Sequence, residues 1–553
     1  MSLGFQLGIL RGRFLWRSFQ QQLEHPREAQ QALLCQILSQ NQGTRFGQRH
    51  SFPRMQSVAD YQAGVPIADY EGFRPWIEQL QLGERNVLTS EHPFMFALTS
   101  GTTGQPKYIP ITKSSRQGTA RVTAMWVYRC LADHPKAFDG KALIVVSPAV
   151  EGLTPCGIPF GSASGYIYQN STWAIRHISA LPYSLFCIKD YGARYYAMMR
   201  FAIEQNISFI STPNPSTIKR LVTIADQRRD QLIRDIRDGV ISQEMDIEPD
   251  LKRELQRSLK PNARRARELE HILSEVGFLD PKAYWPDLAV IGCWKGGTVG
   301  ATVEQLGSWF SPEVGLRDIG YLASEAQMSL PITDHGCGGI LAVGTNFYEL
   351  IPEAEMGRTG ARILTAEQLE EGVNYYLLLT TTTGLYRYDI NDVVRVTGFY
   401  RHTPVIEFVR KGRDMVSLTD EKLHVEQVIQ ALKAAQDSIR VSVEHYRMVG
   451  NVDACRYDLK LELKAYPVPD DALLALGRSV DKHLGALNIE YDQKRRSGRL
   501  GPLCIHIMSQ GWHTRRLQAK LTSGLRDVQF KDTLLGLPDS EDGLMNPAKI
   551  LTL

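Results

Sequence analysis

The stretch Thr99 to Thr112, TSGTTGQPKYIPIT, concentrates groups that bind anions. Ser100, Thr102 and Thr103, after Thr99, offer hydroxyl donors. Gly101 and Gly104 lack a Cβ and admit positive φ, so backbone N–H groups can converge on an anion. Lys107 adds a point charge. Such a loop suits a polyphosphate. It is not the Walker pattern, in which two glycines separated by four residues are followed by Lys and then Ser or Thr; here Lys107 lies between Pro106 and Tyr108. Ser, Thr and Gly are also ordinary turn residues, so a polar hairpin turn explains the composition equally well.

Further along the chain stand acids and bases suited to a site around a nucleotide. Glu325 lies in Gly320–Ser329, GYLASEAQMS, preceded by Tyr321 and Ser324. A carboxylate beside bound phosphates can hold Mg²⁺, which takes one or two carboxylates together with phosphate oxygens. Asp392 lies in YRYDINDVVRVTG, with Asp389 close by. Arg413 and Asp414 lie in KGRDMVSLTDEK, and Lys531 in RDVQFKDTL. Taken singly, these are a surface acid, a turn-capping Asp, a Gly-Arg-Asp turn and a solvated Lys.

The elements that must position them follow from periodicity. Residues 1–90 read as mostly helical: Phe14, Leu15 and Phe19, then Leu33, Leu34 and Leu38, recur at helical spacing, Asn41–Gly43 ends that run, and Tyr70–Leu80 is a further helix. This region reads as packing without chemistry. Ser114–Leu131 reads as a helix. The apolar runs Ala142–Ser147, Ile207–Ser211 and Leu288–Cys293, separated by helical stretches, predict buried parallel strands with crossover helices, an α/β architecture. Acids and bases alternate from Asp226 to Glu275, the pattern of solvated helix faces rather than of a nucleic-acid patch. Strands are predicted at Gly339–Val343, Tyr375–Thr380, Asp392–Val396 and Val405–Val409. After Gly412 the texture changes to a smaller unit of about 140 residues: helices at Leu423–Ala435 and Asp470–Leu484, and strands at Arg440–Val443, Tyr457–Leu463 and Pro502–Met508. The domains are therefore expected at 1–410 and 411–553.

The 553 residues are 43% apolar and 22% charged, ordinary for a globular chain of two or more domains. A net charge of +3 over that length points to neither a nucleic-acid nor a membrane partner. The eight cysteines form no CxxC pair and read as reduced thiols of a cytoplasmic protein. No apolar run approaches the ~20 residues of a spanning helix. The N-terminal stretch, apolar residues mixed with arginines, reads as a docked surface helix rather than a signal peptide. No heptad or apolar stripe calls for a dimer, so a monomer is expected.

The loop resembles the phosphate-binding signature of the adenylate-forming superfamily, which comprises acyl-CoA synthetases, nonribosomal-peptide adenylation domains and luciferases. Its Tyr-Ile-Pro-Ile-Thr tail, the Asn391-Asp392 segment and the Gln-Phe-Lys ending resemble one branch more closely: the acyl acid amido synthetases, the Gretchen Hagen auxin-responsive family, which has bacterial members. Val65-Pro66-Ile67, Gly157–Gly165 and Asn346–Glu349 extend the resemblance over most of the chain.

The resemblance implies a large N-terminal α/β domain with mixed sheets and a β-barrel-like part, and a small mobile C-terminal α+β domain. It implies adenylation of a carboxylic acid by ATP with Mg²⁺, then transfer of the acyl group to an amine, an amino acid being the expected one. It places Thr99, Ser100, Thr102, Thr103 and Lys107 on the phosphates. Tyr321, Ser324, Asp392 and Arg413 fall on the nucleotide, with Asp392 accepting the ribose hydroxyls although Asn391 stands where Gly is usual. Glu325 falls on the metal, Asp414 at the hinge, and Lys531 with Glu325 at the catalytic centre. The helix at 114–131 and the Gly157–Gly165 loop are expected walls of the acyl site, with Arg116 or Arg121 as carboxylate readers. Two alternatives stay open: an acyl-CoA ligase or carrier-protein loader, and a nucleotide-binding protein that has lost catalysis.

Overall fold

The structure, a computed structural model, describes residues 3–99, 107–171, 173–296, 300–412, 415–416, 418, 421, 423–451, 453–465, 467–496, 500–522, 533–539 and 545–553. The chain divides into two compact units, Met1–Val409 and Arg410–Leu553.

In the first unit, the predicted apolar runs form a four-stranded parallel sheet in the order Lys141–Ile144, Ile207–Ser211, Val290–Gly292, Gly315–Arg317. Runs such as Ile207–Ile210 are buried throughout because helices cover the sheet. Crossover segments between successive strands carry the helices Tyr191–Ala202, Pro215–Gln227 and Gly300–Trp309, among others. The helices packed on it share one core with it, including Leu143, Tyr196, Ile210, Leu221, Leu232 and Ile291. The charged region is helical as expected, at Arg229–Asp238, Pro249–Gln256 and Ala263–Val276, and bears short-range pairs such as Arg264–Glu268 at 3.0 Å.

A six-stranded sheet follows, ordered Phe347–Pro352, Asn374–Thr380, Tyr388–Tyr400, Thr403–Lys411, Gly339–Leu341, Ser329–Leu330. Its core joins Tyr348, Leu377, Tyr386 and Val394 to Trp16, Phe19 and Leu34 of the N-terminal helices Leu3–Glu24 and Pro26–Asn41. A smaller sheet, ordered Lys107–Ile111, Met95–Thr99, Pro159–Gly161, Gly152–Leu153, carries the Ser/Thr/Gly loop between its first two strands.

The second unit is α+β. Its five-stranded sheet runs Leu535–Gly536, Val443–Asn451, Arg456–Leu463, Cys504–Ile507, Lys549–Thr552. The helices Val425–Ile439 and Asp470–Leu487 pack Val428, Leu432, Leu476 and Val480 against Leu459, Leu461 and Ile505. Two expectations change here. The segment after the first helix does not begin a strand at Arg440: Arg440 caps that helix in the left-handed region (φ 57°), and the strand starts at Val443. The sheet does not close at Met508 either, because Lys549–Thr552 pairs antiparallel with Cys504–Ile507.

Candidate active site

The strands on either side of the Ser/Thr/Gly stretch pair with each other. Met95–Thr99 pairs antiparallel with Lys107–Ile111, and Thr99 stands opposite Lys107. Ser100, Thr102 and Thr103 lie outside the described residues, as do Arg413, Asp414 and Lys531; of Thr99 the backbone alone is described. The second strand leads into the helix Lys113–Asp133, which Thr112 caps in a reciprocal capping box with Ser115. Glu91 steadies that turn by accepting hydrogen bonds from the backbone N–H and hydroxyl of Ser114, at 3.0 and 2.6 Å.

Lys107 heads the second strand, with its Nζ 5.5 Å from the ring centroid of Tyr70. The Tyr70 hydroxyl accepts a hydrogen bond from the Tyr108 N–H at 2.7 Å. The helix Tyr70–Gln81 therefore does more than pack. Burial pushes the Tyr70 phenol up to about 12, so it stays neutral at physiological pH.

Tyr321, Ser324 and Glu325 follow the carboxyl end of the parallel strand Gly315–Arg317. In α/β sheets, ligands bind outside such strand ends. Gly320 has φ +91°, and a Cβ there would come within 2.4 Å of the Ser329 carbonyl oxygen. The chain then folds into a tight hairpin: Leu322 bridges Gln327, Ala323 N–H donates to the Ala326 carbonyl at 2.9 Å, and Met328 N–H to that of Tyr321 at 2.8 Å. Ser324 and Glu325 sit at its tip, both half-buried.

Asp392 lies in a bulge. Between the pairs Leu378–Asp389 and Tyr376–Val393, one strand advances four residues against two on its partner. Asn391 takes up the extra length in the left-handed region, φ 56°. Asn is one of the few side chains that accept that conformation, which explains how it stands where Gly is usual. Asp389 supports the bulge by accepting the Asn391 N–H at 2.7 Å. The preceding Arg387 is buried against Glu349, with Nε at 3.1 and 3.0 Å from its two carboxylate oxygens, and also donates to the Gln62 and Val65 carbonyls, both at 2.8 Å. Burial raises the Glu349 pKa, and this outweighs the opposing effect of Arg387. The segments around Val65-Pro66-Ile67 and Asn346–Glu349 thus brace the strand that carries Asp392.

Two phenols join these parts. Tyr321 Oη donates to Asp392 Oδ2 at 2.5 Å, and Tyr388 Oη to Glu325 Oε1 at 3.2 Å. Burial, with the carboxylate beside each phenol, holds both tyrosine pKa values well above the ordinary one. The structure therefore brings Tyr321, Glu325 and Asp392 together with Tyr388 through the Tyr321–Asp392 and Tyr388–Glu325 hydrogen bonds, while Lys107 meets the ring of Tyr70. A half-buried carboxylate at a turn tip, with oxygen donors around it, fits a hard cation such as Mg²⁺.

Sequence reasoning missed Tyr70, Tyr388 and Asp318. The Asp318 carboxylate accepts the Gly320 and Lys295 N–H groups at 2.6 and 2.7 Å, while its backbone carbonyl accepts Trp126 Nε1–H at 2.8 Å. Burial pushes its pKa up to about 6. Tyr388 stands in the Tyr-Arg-Tyr run and Asp318 two residues before Gly320, but their roles depend on contacts remote in sequence. Arg116 and Arg121 are exposed. In the second unit Asp458, Cys504 and His506 approach one another. The Asp458 oxygens already accept from Arg456 and Asn451, at 2.8 and 2.9 Å, so the charge there is balanced without a cation.

The fold is that of the adenylate-forming ligases. A 2-hydroxyisobutyryl-CoA ligase in its postadenylation state aligns at TM-score 0.52 and 12% identity, over 93% of this chain and 89% of that one. The acyl acid amido synthetase GH3.15 aligns at TM-score 0.85 and 19% identity, over 97% and 96%. Residues 15–313, 339–411 and 426–535 match the N-terminal, central and C-terminal domains of the GH3 family, and the chain belongs to that family. Among curated relatives, indole-3-acetic acid-amido synthetase GH3.4 of Arabidopsis thaliana is 22% identical over 92% of this chain and 89% of its own. The 4-substituted benzoates-glutamate ligase GH3.12 of the same plant is 22% identical over 93% and 94%.

Proposed function

We propose that this chain is an AMP-forming carbon–nitrogen ligase. It adenylates a carboxylic acid with ATP, releasing pyrophosphate, and passes the acyl group to an amine, with an amino acid as the amine class. The observation that carries this reading is the pairing of Tyr321 with Asp392 and of Tyr388 with Glu325 in one place, in a chain that matches the GH3 family along most of its length.

The chemistry explains the residues. A carboxylate acylates poorly because its leaving group would be oxide. Its attack on the α-phosphate of ATP replaces oxide with AMP, but two anions must approach, so fixed positive charge and donors are needed where charge develops. Thr99, Ser100, Thr102, Thr103 and Lys107 hold the β- and γ-phosphates. Tyr321, Ser324 and Arg413 line the nucleotide, and the Asp392 carboxylate accepts the ribose hydroxyls. Glu325 would hold Mg²⁺, which neutralises phosphate charge when bound. Lys531 stabilises the forming and leaving oxygens. Rotation of 411–553 at Arg413–Asp414 then withdraws Lys531 and admits the amine, which attacks the acyl carbon and expels AMP. The eight cysteines are all free thiols, and no described helix is long and apolar enough to cross a membrane, which suits a cytoplasmic enzyme. We assign it as a monomer.

The test is ATP–pyrophosphate exchange over a panel of acids that includes indole-3-acetic acid, substituted benzoates and fatty acids, followed by addition of amino acids. Acid-dependent exchange, with one AMP released per amide formed, is the expected outcome. The fold shared with 2-hydroxyisobutyryl-CoA ligase makes CoA the competing acceptor; discharge onto CoA alone overturns amide formation. ATP binding with no acid-dependent exchange overturns catalysis altogether.

A further inference from the structure

Two buried tyrosines stand behind the charged groups assigned to the phosphates. Among the described residues Lys107–Ile111 is an edge strand of its sheet, paired with a strand on one side only. Tyr70 covers that edge: its hydroxyl accepts the Tyr108 N–H at 2.7 Å. Its ring lies 5.5 Å from the Lys107 ammonium and 4.8 Å from the Arg74 guanidinium, which also pairs with Glu71 at 2.7 Å. One phenol therefore restrains the lysine twice, through the backbone of the next residue and through the face of the ring.

Tyr388 acts on the carboxylate side. Its backbone pairs with Leu379, and Ala68 bridges it on the other side, which fixes the Cα–Cβ direction. Its ring meets Phe73, three residues beyond Tyr70 on the same helix, edge-on at 5.9 Å. Its hydroxyl donates to Glu325 Oε1. Glu325 sits at a hairpin tip, where a side chain with three rotatable bonds has many rotamers open to it. A donor fixed in the core selects among them and leaves the second oxygen, Oε2, for another partner.

We propose that Tyr70 and Tyr388 are positioning residues for the phosphate subsite, Tyr70 setting the place of the Lys107 ammonium and Tyr388 the rotamer of the Glu325 carboxylate. This rests on the assignment of Lys107 to the β- and γ-phosphates and of Glu325 to their cation. It predicts effects confined to ligands that carry those phosphates. AMP, which lacks them, binds unchanged.

The experiment uses the full chain with Y70F, Y70L and Y388F. Affinities for AMP and for the non-hydrolysable analogue α,β-methylene-ATP are measured by calorimetry. Mn²⁺ binding to the enzyme–analogue complex is followed by electron paramagnetic resonance. Y70F keeps the ring and loses the acceptor, and should weaken the analogue about threefold; Y70L loses both restraints and should weaken it about tenfold. Y388F should weaken Mn²⁺ about fivefold and leave the metal-free analogue unaffected. AMP affinity should match wild type in all three. Equal weakening of AMP and analogue, or wild-type Mn²⁺ affinity in Y388F, overturns the proposal. If Y70L does not fold, the contrast in Y70F and Y388F decides. Wild-type protein that binds the analogue but shows no acid-dependent exchange overturns the ligase reading, and the binding contrast still judges the two tyrosines.

Discussion

At the scale of single residues, the site depends on side chains held in unusual backbone or electrostatic states. Asn391 at φ 56° keeps Asp392 on its bulge. Asn391→Gly should leave stability within a few tenths of a kcal/mol of wild type, whereas Asn391→Val should cost about 1–2 kcal/mol, since a Cβ-branched residue is strained there. Urea unfolding of the two variants checks the contrast. Asp318 gives a pH dependence with a definite sign. Its folded pKa of about 6 lies above the ordinary value of 3.8 because burial disfavours the charged form. The stability it contributes is therefore fully present below about pH 3.8 and is lost as pH rises through about 6. Unfolding free energies measured from pH 4 to 7 should show wild type falling relative to Asp318→Asn by roughly 2–3 kcal/mol. Parallel curves would mean that the carboxyl does not titrate in that window.

At the scale of elements, glycines decide how closely segments pass. Gly161 and Gly165 lie in the stretch expected to wall the acyl site, and each stands where a Cβ would strike backbone: Gly161 meets the Ala149 carbonyl oxygen at 2.1 Å, and Gly165 that of Ser147 at 2.0 Å. Their smallness serves the packing of the strand Pro159–Gly161 and the helix Ala163–Gln169 against residues 147–150. Gly165→Ala should lower stability by about 1–3 kcal/mol, because backbone on both sides must shift. Thermal unfolding measures the change. The elements themselves were largely legible. The helix Lys113–Asp133 and the strands Ile207–Ser211 and Asn374–Thr380 fall where apolar spacing and turn residues place them. The strand expected at Arg440 was displaced because Arg440 adopts the left-handed conformation of a helix cap, a role that composition gives to Gly or Asn before Arg.

At the scale of the whole molecule, each unit has its own apolar core. The fragment 410–553 should fold by itself, with a cooperative thermal transition. The fragment 1–409 should also fold but should lack acid-dependent exchange, since Lys531 is absent from it. In the intact chain Lys531→Ala should slow adenylation by about a hundredfold or more; a rate near wild type would remove Lys531 from the reaction. The chain just after that lysine is held within its own unit: Arg447 donates to the Thr533 and Leu537 carbonyls at 2.9 and 3.0 Å, and Arg516 to Asp539 at 2.7 Å.

The sequence by itself determined the class and the order of the parts. Short motifs such as TSGTTGQPK and NDVVRV are runs of consecutive residues, so their resemblance to the family shows without the fold, and apolar runs bounded by turns announce buried strands whatever their partners. Tertiary structure decided which groups meet. Tyr388 finds Glu325 63 residues away and Tyr321 finds Asp392 71 residues away. Tyr70 reaches a backbone N–H 38 residues ahead. No local pattern encodes such a meeting, because a hydrogen bond between distant residues is set by the packing of whole sheets and helices. The pKa of Asp318 likewise comes from the water its neighbours exclude, which appears only once the chain has folded around it.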